Sequence, residues 1–208
     1  MLYPNKLVEA QDGLVLFVPD PELVKLTYES LLMREPSTPF PYWAKIWPSS
    51  KAMCSFLEAE PAWIAGKRVL EIGAGIGLPS LVMAHRAAEM IISDYATEAV
   101  VLLNKNIQYL HLKQVRAMVL DWNDFPDNLQ CETILMSDIN YAPDQFDPLL
   151  KLVQQLLGQG ATIIISTPQR IMATPFVKAL QPNIQRTVLQ TVEEKNQLVD
   201  ISILVLSL

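Results

Sequence analysis

Histidine and cysteine are almost missing: the 208 residues hold two of each. His85 falls in a helical stretch and His111 just past another, and no nucleophile, base and acid fall into a recognisable set around either. A hydrolase of the serine–histidine or cysteine–histidine kind is therefore not expected. Cys54 and Cys131 have no metal-type spacing and read as packing thiols of a reduced, cytoplasmic protein, and no metal site is expected. Apolar runs all stop short of the roughly 18 residues a membrane span needs, so no membrane association is expected. MLYPNKLVEAQDG lacks the basic-then-apolar order of a secretory leader. Basic blocks are missing as well: 16 Lys and Arg against 22 Asp and Glu leave a net charge of −6. That balance argues against nucleic acid as a partner and is compatible with a basic protein.

What the chain does have is apolar residues, 50% of the total, enough for one domain with a sizeable core. There is no repeat and no obvious linker, so residues 1–208 read as a single domain in two parts. Residues 1–65 form an N-terminal extension: an irregular start, a strand GLVLFV (13–18), and a helix opened by Asp20-Pro21. The extension continues through the proline- and aromatic-rich segment PSTPFPYWAKIWPSS (36–50), with a helix from Ser49 or Ser50 to about Glu58.

From residue 66 strands and helices alternate. KRVLEIG (67–73), EMIISD (89–94), VRAMVL (115–120), ETILMS (132–137) and ATIIIST (161–167) read as strands. Residues 78–87, 97–110, 144–157 and 170–180 read as helices between and after them. The nearly continuous apolar run of 161–167 is that of a parallel strand buried on both faces. NIQRTVLQTVEE and NQLVDISILVLSL, joined by a polar turn near Lys195-Asn196, read as an antiparallel hairpin. The expected fold is α/β, doubly wound and Rossmann-like, a mostly parallel seven-stranded sheet with one antiparallel strand from the C-terminal hairpin.

In such sheets ligands bind beyond the carboxyl ends of the strands. Directly after the first strand of the sheet comes VLEIGAGIGLPS (69–80). Gly73 permits a sharp exit, Gly75 lets a ligand approach the main chain, and Gly77 allows close helix–strand packing. Leu78 stands where a dinucleotide fingerprint needs its third glycine, and no phosphate-gripping lysine follows. The loop therefore suits a ligand with a nucleoside and an amino-acid end, and a nicotinamide oxidoreductase is disfavoured. Asp94, 21 residues past Gly73, is placed to accept ribose hydroxyls. Asp121-Trp122 offers a polar and a flat group to frame a base, and Glu71 a carboxylate for an ammonium. Taken singly, Asp94 and Asp121 also fit helix caps or turn residues.

E-I-G-A-G-I-G-L with Asp94 and Asp121-Trp122 resembles the S-adenosylmethionine signature of the class I, seven-stranded methyltransferases. The fourth strand of the core ends in SDINYAP (137–143). Its D-x-x-Y unit, without the prolines of the D-P-P-Y type, is similar to that of the family 16 protein-lysine methyltransferases. YWAKIWPSSKAMCSFL (42–57) resembles the tryptophan–proline segment of the same family. The resemblance implies S-adenosylmethionine as cofactor, held by Trp47, Glu71, Gly73, Gly75, Gly77, Asp94, Tyr95, Asp121, Trp122 and Ser137. It implies an acceptor channel at Asp138 and Tyr141, and N-methylation of a protein lysine. A small-molecule amine as acceptor, or a nucleotide-binding domain without catalysis, remain alternatives. Sequence identifies no general base and leaves the oligomeric state open.

Overall fold

A strand such as Ile163–Ile165 has no polar side to turn to water and must be covered on both faces. The computed structural model, which describes residues 3–11 and 13–208, places it inside a seven-stranded sheet. Met1, Leu2 and Asp12 of the expected N-terminal extension lie outside the described residues.

The extension contributes β1 (Asn5–Gln11), β2 (Leu14–Pro19), α1 (Pro21–Arg34) and α2 (Pro48–Ala59). The alternating part follows as β3 (Arg68–Ile72), α3 (Leu78–Met83), β4 (Glu89–Asp94), α4 (Thr97–Tyr109) and β5 (Val115–Val119). After these come β6 (Thr133–Ser137), α5 (Phe146–Gly158), β7 (Thr162–Pro168), α6 (Thr174–Leu180), β8 (Ile184–Glu194) and β9 (Gln197–Leu206). The sheet order is β5-β4-β3-β6-β7-β9-β8. Strands β3 to β7 pair in parallel, and β9 runs antiparallel to both β7 and β8. The expected architecture is the one found.

Side chains alternate across β3 and divide the core. Val69 packs with Met53 and Leu57 of α2, Leu81 of α3 and Leu103 of α4. Leu70 and Ile72 pack on the opposite face with Phe146, Leu149 and Val153 of α5 and Phe176 of α6. The sheet is thus sandwiched between two helical layers, each burying one set of alternate residues.

The extension holds the main differences from the sequence reading. The start expected to be irregular is strand β1, paired antiparallel with β2 from Asn5↔Pro19 to Gln11↔Leu14. Its own residues are only half-buried or exposed, so the strand rests on its partner and carries no clear apolar pattern. The hairpin is anchored by Asn106 of α4, whose Nδ2 donates to Phe17 O at 3.0 Å while its Oδ1 accepts from Phe17 N at 2.8 Å. Helix α2 starts at Pro48 with Trp47 as N-cap, one residue before the earlier of the two expected serines. Helices α3 and α6 are shorter than expected, because residues 84–86 and 171–173 tighten into separate 3₁₀ turns. Among the described residues no helix is long and apolar enough to cross a membrane.

The carboxyl ends of β3, β4, β5, β6 and β7 face one edge of the sheet. Chain order reverses there between β3 and β6, and the segments after these strands gather around that point.

Candidate active site

The loop after β3 leaves the sheet through three residues in the left-handed region: Gly73 (φ 63°), Gly75 (φ 56°) and Gly77 (φ 73°). Ala74 N donates to Ser93 O at 2.9 Å, tying the loop to β4 before Gly77 opens α3. Each glycine also faces a crowded neighbour. A Cβ on Gly73 would stand 3.2 Å from Ile139 Cγ2 and 3.3 Å from a ring carbon of Trp122. One on Gly77 would stand 2.6 Å from Leu103 Cδ2, which is the close packing expected of it. One on Gly75 would stand 3.0 Å from the carbonyl oxygen of Trp43. The bare Cα of Gly75 therefore admits the chain's own 42–47 segment, a neighbour that a reading in terms of ligand alone did not foresee.

Asp94 ends β4 with a side chain 4% exposed. Its Oδ2 accepts from Gly75 N at 2.8 Å and its Oδ1 from Ala96 N at 2.9 Å. Burial raises its proton affinity above the ordinary aspartate value, and the backbone amides oppose that shift. A carboxylate has about four lone-pair sites, so each oxygen retains capacity for a hydroxyl donor. Asp94 thus both holds the glycine loop and presents an acceptor to the cleft.

One cleft brings together Trp47, Gly73, Gly75, Asp94, Tyr95, Trp122, Ser137, Asp138 and Tyr141. Trp47 Nε1 donates to Tyr42 O at 2.9 Å, and Lys45 Nζ lies 4.4 Å from the Trp47 ring centroid. Trp122 Nε1 donates to Gln145 Oε1 at 3.2 Å, fixing the indole beside Gly73. Ser166 Oγ and Ser137 Oγ are hydrogen-bonded at 3.1 Å.

Three of the expected residues lie outside the lining of this cleft. Glu71 is fully buried on the α2–α4 side of β3, where its Oε2 accepts from Ser80 N at 3.2 Å. Burial pushes its carboxyl up to about 7. The pleat turns it beneath the loop, so it supports the start of α3 and does not reach into the cleft. Gly77 is likewise beneath the loop, packed on Leu103 and Ile92. Asp121 is exposed and caps the 122–124 turn, accepting from Asn123 N and Nδ2, both at 2.8 Å. Both bonds use Oδ1 and tie the side chain to its own turn.

The two residues expected at the acceptor channel lie past β6. Asp138 has φ 57°, an uncommon value for a residue with a side chain, and its N–H donates to Ser166 O at 2.9 Å. Its carboxylate is forked by Arg170, Nη1 to Oδ1 and Nη2 to Oδ2, the latter at 3.1 Å. Tyr141 stacks obliquely on Tyr42, ring centroids 4.9 Å apart. Burial pushes the Tyr141 phenol up to about 12, so it stays protonated at neutral pH. Asn140 is fully buried and accepts from Thr167 Oγ1 at 2.8 Å.

Sequence reasoning missed Arg170, Tyr42 and Lys45. Arg170 follows β7 without a motif of its own, and only the pairing of β6 with β7 puts it on Asp138. Tyr42 and Lys45 stood inside the tryptophan–proline segment, where position alone does not show which side chains face the loop.

The cleft fits a nucleoside with an amino-acid arm. It offers a flat indole, a buried carboxylate with spare acceptor capacity, and a main chain in which glycine keeps the approach open. Comparison with known proteins agrees. Residues 35–193 match the family described as lysine methyltransferase. The chain belongs to the lysine methyltransferase family. This lysine methyltransferase family member is 32% identical over 135 residues to a calmodulin-lysine N-methyltransferase of Arabidopsis thaliana, covering 60% of this chain and 44% of that one. It is 28% identical over 128 residues to the histone-arginine methyltransferase METTL23 of Mus musculus, covering 59% of this chain and 51% of the relative. The chain thus spans about half the length of these curated relatives. Its fold is that of the N-methyltransferase NodS of Bradyrhizobium japonicum WM9, with a TM-score of 0.62 at 14% identity over 86% of this chain and 97% of that one.

Proposed function

We propose that this chain is an S-adenosylmethionine-dependent N-methyltransferase acting on a lysine side chain of another protein. One observation carries the reading: the loop at Gly73–Gly77, Asp94 and Trp122 open into the same cleft as Asp138 and Tyr141, so a donor site and an acceptor site are continuous. Asp94 accepts the ribose hydroxyls, Trp122 lies along the base, and Trp47 with Ser137 walls the methionine arm. Bound S-adenosylmethionine supplies a methyl group on a sulfonium: as the N–C bond forms the C–S bond breaks, and sulfur keeps the electron pair.

The protein's own task is to aim a neutral amine along that line. Tyr141 and Tyr42 form an aromatic wall whose ring faces favour the incoming cation until it gives up its proton to solvent. Asp138 accepts from the remaining N–H groups and so orients the amine lone pair toward the sulfonium. No step needs a basic histidine or a metal ligand. The reduced interior of the cytoplasm suits a chain with only two cysteines.

Methyl-labelled S-adenosylmethionine incubated with this protein and a cell extract tests the reading. Label in a discrete protein band, with methyl-lysine in its digest, supports it; label only in small molecules favours a small amine as acceptor. Isothermal titration with S-adenosylhomocysteine tests the donor site, and no binding at high micromolar concentration sinks the proposal. Asp138→Ala is expected to abolish transfer and retain cofactor binding.

A second reading is favoured by the fork of Arg170 on Asp138, which fits a guanidinium to the acceptor carboxylate. A substrate arginine would make the same contact, as the name of the METTL23 relative suggests. Methyl-arginine in the digest of the labelled band would replace lysine by arginine in the proposal.

A further inference from the structure

Among the described residues, Asp138 is the one acidic side chain at the expected acceptor end of the cleft, and it is not bare. Its side chain is 6% exposed, and the Arg170 guanidinium, 30% exposed, closes on both of its oxygens. Two features set that geometry. The left-handed backbone at Asp138 points the carboxylate out of the β6 line, and the Asp138 N–H bond to Ser166 O keeps that backbone on β7. Arg170 comes from the short segment after β7, where its N–H donates to Pro168 O at 2.8 Å, so the two charges meet because β6 and β7 are neighbours.

An amine acceptor brings a problem that the fork bears on. Lysine enters as an ammonium, which has no lone pair and cannot attack. A lone buried carboxylate within about 4–6 Å favours the charged form of a neighbouring amine and so holds the proton in place. A guanidinium is always charged and planar, and it neutralises a carboxylate bidentately. The other charged and titratable groups around the cleft do not substitute for it. Lys45 of the 42–47 segment is tied to Glu194 at 3.0 Å. Asp94, at the end of β4, is tied to the loop amides and serves the donor end of the cleft. Tyr42, Tyr95 and Tyr141 are phenols.

Resting on the reading of this site as a lysine N-methyltransferase, we propose that Arg170 is a positioning residue that acts through Asp138. By neutralising the Asp138 carboxylate it lets the acceptor ammonium release its proton to bulk water before methyl transfer. Arg170 also keeps the carboxylate oriented, so that it meets the N–H groups of the neutral amine and does not draw the cation into an unreactive ion pair. The step is a proton loss from nitrogen to solvent followed by the transfer already described, and it needs no further reactant.

The test uses the protein band labelled in the extract experiment as acceptor, with kcat at saturating acceptor measured from pH 6 to pH 10, and KM at pH 7, for the parent protein, Arg170→Gln, Arg170→Leu and Arg170→Lys. Both uncharged variants are expected to move the acidic limb of the profile to higher pH by about 1 unit or more. At pH 7 their kcat falls about tenfold while KM for the acceptor stays level or drops, since the freed carboxylate binds the ammonium more firmly. Arg170→Lys keeps a charge beside Asp138 and is expected to lie between the parent and the uncharged variants. S-adenosylhomocysteine affinity is expected to stay within about threefold in all of them, which reports an intact fold and donor site.

An unmoved profile in both uncharged variants overturns the proposal, as does a raised KM with unchanged kcat, which would make Arg170 a docking residue. Loss of S-adenosylhomocysteine binding in all three variants also overturns it, because Arg170 would then serve the donor site. If the parent protein labels no band or binds no S-adenosylhomocysteine, the reading of the site fails, and that result is separate from these.

Discussion

The carbonyl oxygen of Trp43 sits 3.0 Å from the point where a Cβ on Gly75 would stand. The N-terminal extension thus reaches across the chain to cap the glycine loop. Trp43 itself is anchored by an edge-to-face contact with Tyr3, ring centroids 5.5 Å apart. Glycine loop and extension are one packed unit, and a methyl group between them would press on backbone.

Gly75→Ala and Gly77→Ala should therefore fail differently. Alanine at 75 meets backbone, which cannot rotate aside, and must hold φ 56°. S-adenosylhomocysteine affinity is expected to drop at least tenfold, read by titration calorimetry. Alanine at 77 meets the end of Leu103 and the side chain of Ile92 in the core. There the expected effect is on stability, about 1–3 kcal/mol from the strained φ alone. For a chain of this size that corresponds to a fall in Tm of several degrees by calorimetry, about 2–4 °C per kcal/mol.

Asp94 ends β4 and Asp121 lies two residues past the end of β5, and the two should respond oppositely to the same change. Asp94 spends one acceptor oxygen on Gly75 N and the other on Ala96 N, so Asp94→Asn turns one of them into a donor facing a donor. A buried mismatch of that kind costs about 1–3 kcal/mol. Loss of most cofactor affinity with a lowered Tm is expected. Asp121→Asn keeps an acceptor for Asn123 N on an exposed turn and should leave both measurements within error.

Glu71 makes the stability of the fold depend on pH. Its carboxyl ordinarily titrates at 4.5 and is pushed up to about 7 by burial. Below 4.5 both folded and unfolded chains hold the proton, and the group contributes no pH dependence. Between 4.5 and 7 the unfolded chain releases it while the folded chain keeps it, so stability falls as pH rises, and the loss is complete above 7. At roughly 1.4 kcal/mol per unit the loss is up to about 3 kcal/mol. Urea unfolding at pH 4.5, 6 and 8 should show this decline in the parent protein and a flatter line in Glu71→Gln. Parallel lines would refute a titrating Glu71.

Tyr141 stays a neutral phenol up to about 12, so it cannot serve as the base near neutral pH. Tyr141→Phe keeps the ring that stacks on Tyr42 and should retain the shape of the pH–rate profile, with kcat within about fivefold of the parent. Tyr141→Ala removes the wall and should raise acceptor KM at least tenfold. A changed profile in the phenylalanine variant would assign the hydroxyl a proton-transfer role.

Local sequence patterns alone were enough for the α/β class, the seven strands of the main sheet and the hairpin that supplies the reversed strand. These depend on local patterns: continuous apolar runs for buried strands, helical spacing between them, and polar turns at their ends. The sequence also marked the motif order from Trp47 through Gly73–Gly77 and Asp94 to Asp138 and Tyr141, because each sits at the end of an element with a recognisable pattern. Strand β1 was illegible because its half-exposed residues are held by pairing with β2.

Which of several similar acids face the cleft depends on the folded chain. Glu71, Asp94 and Asp121 all lie at or just past the carboxyl ends of strands. The pleat turns Glu71 under the loop, the turn after β5 folds Asp121 back on itself, and the loop amides hold Asp94 at the mouth. Arg170 shows the same limit most plainly: it lies 32 residues from Asp138 in the chain, and the fork exists because parallel pairing makes β6 and β7 neighbours. A pattern along the chain reports periodicity and local turn chemistry, whereas a contact across the sheet depends on strand order and pleat.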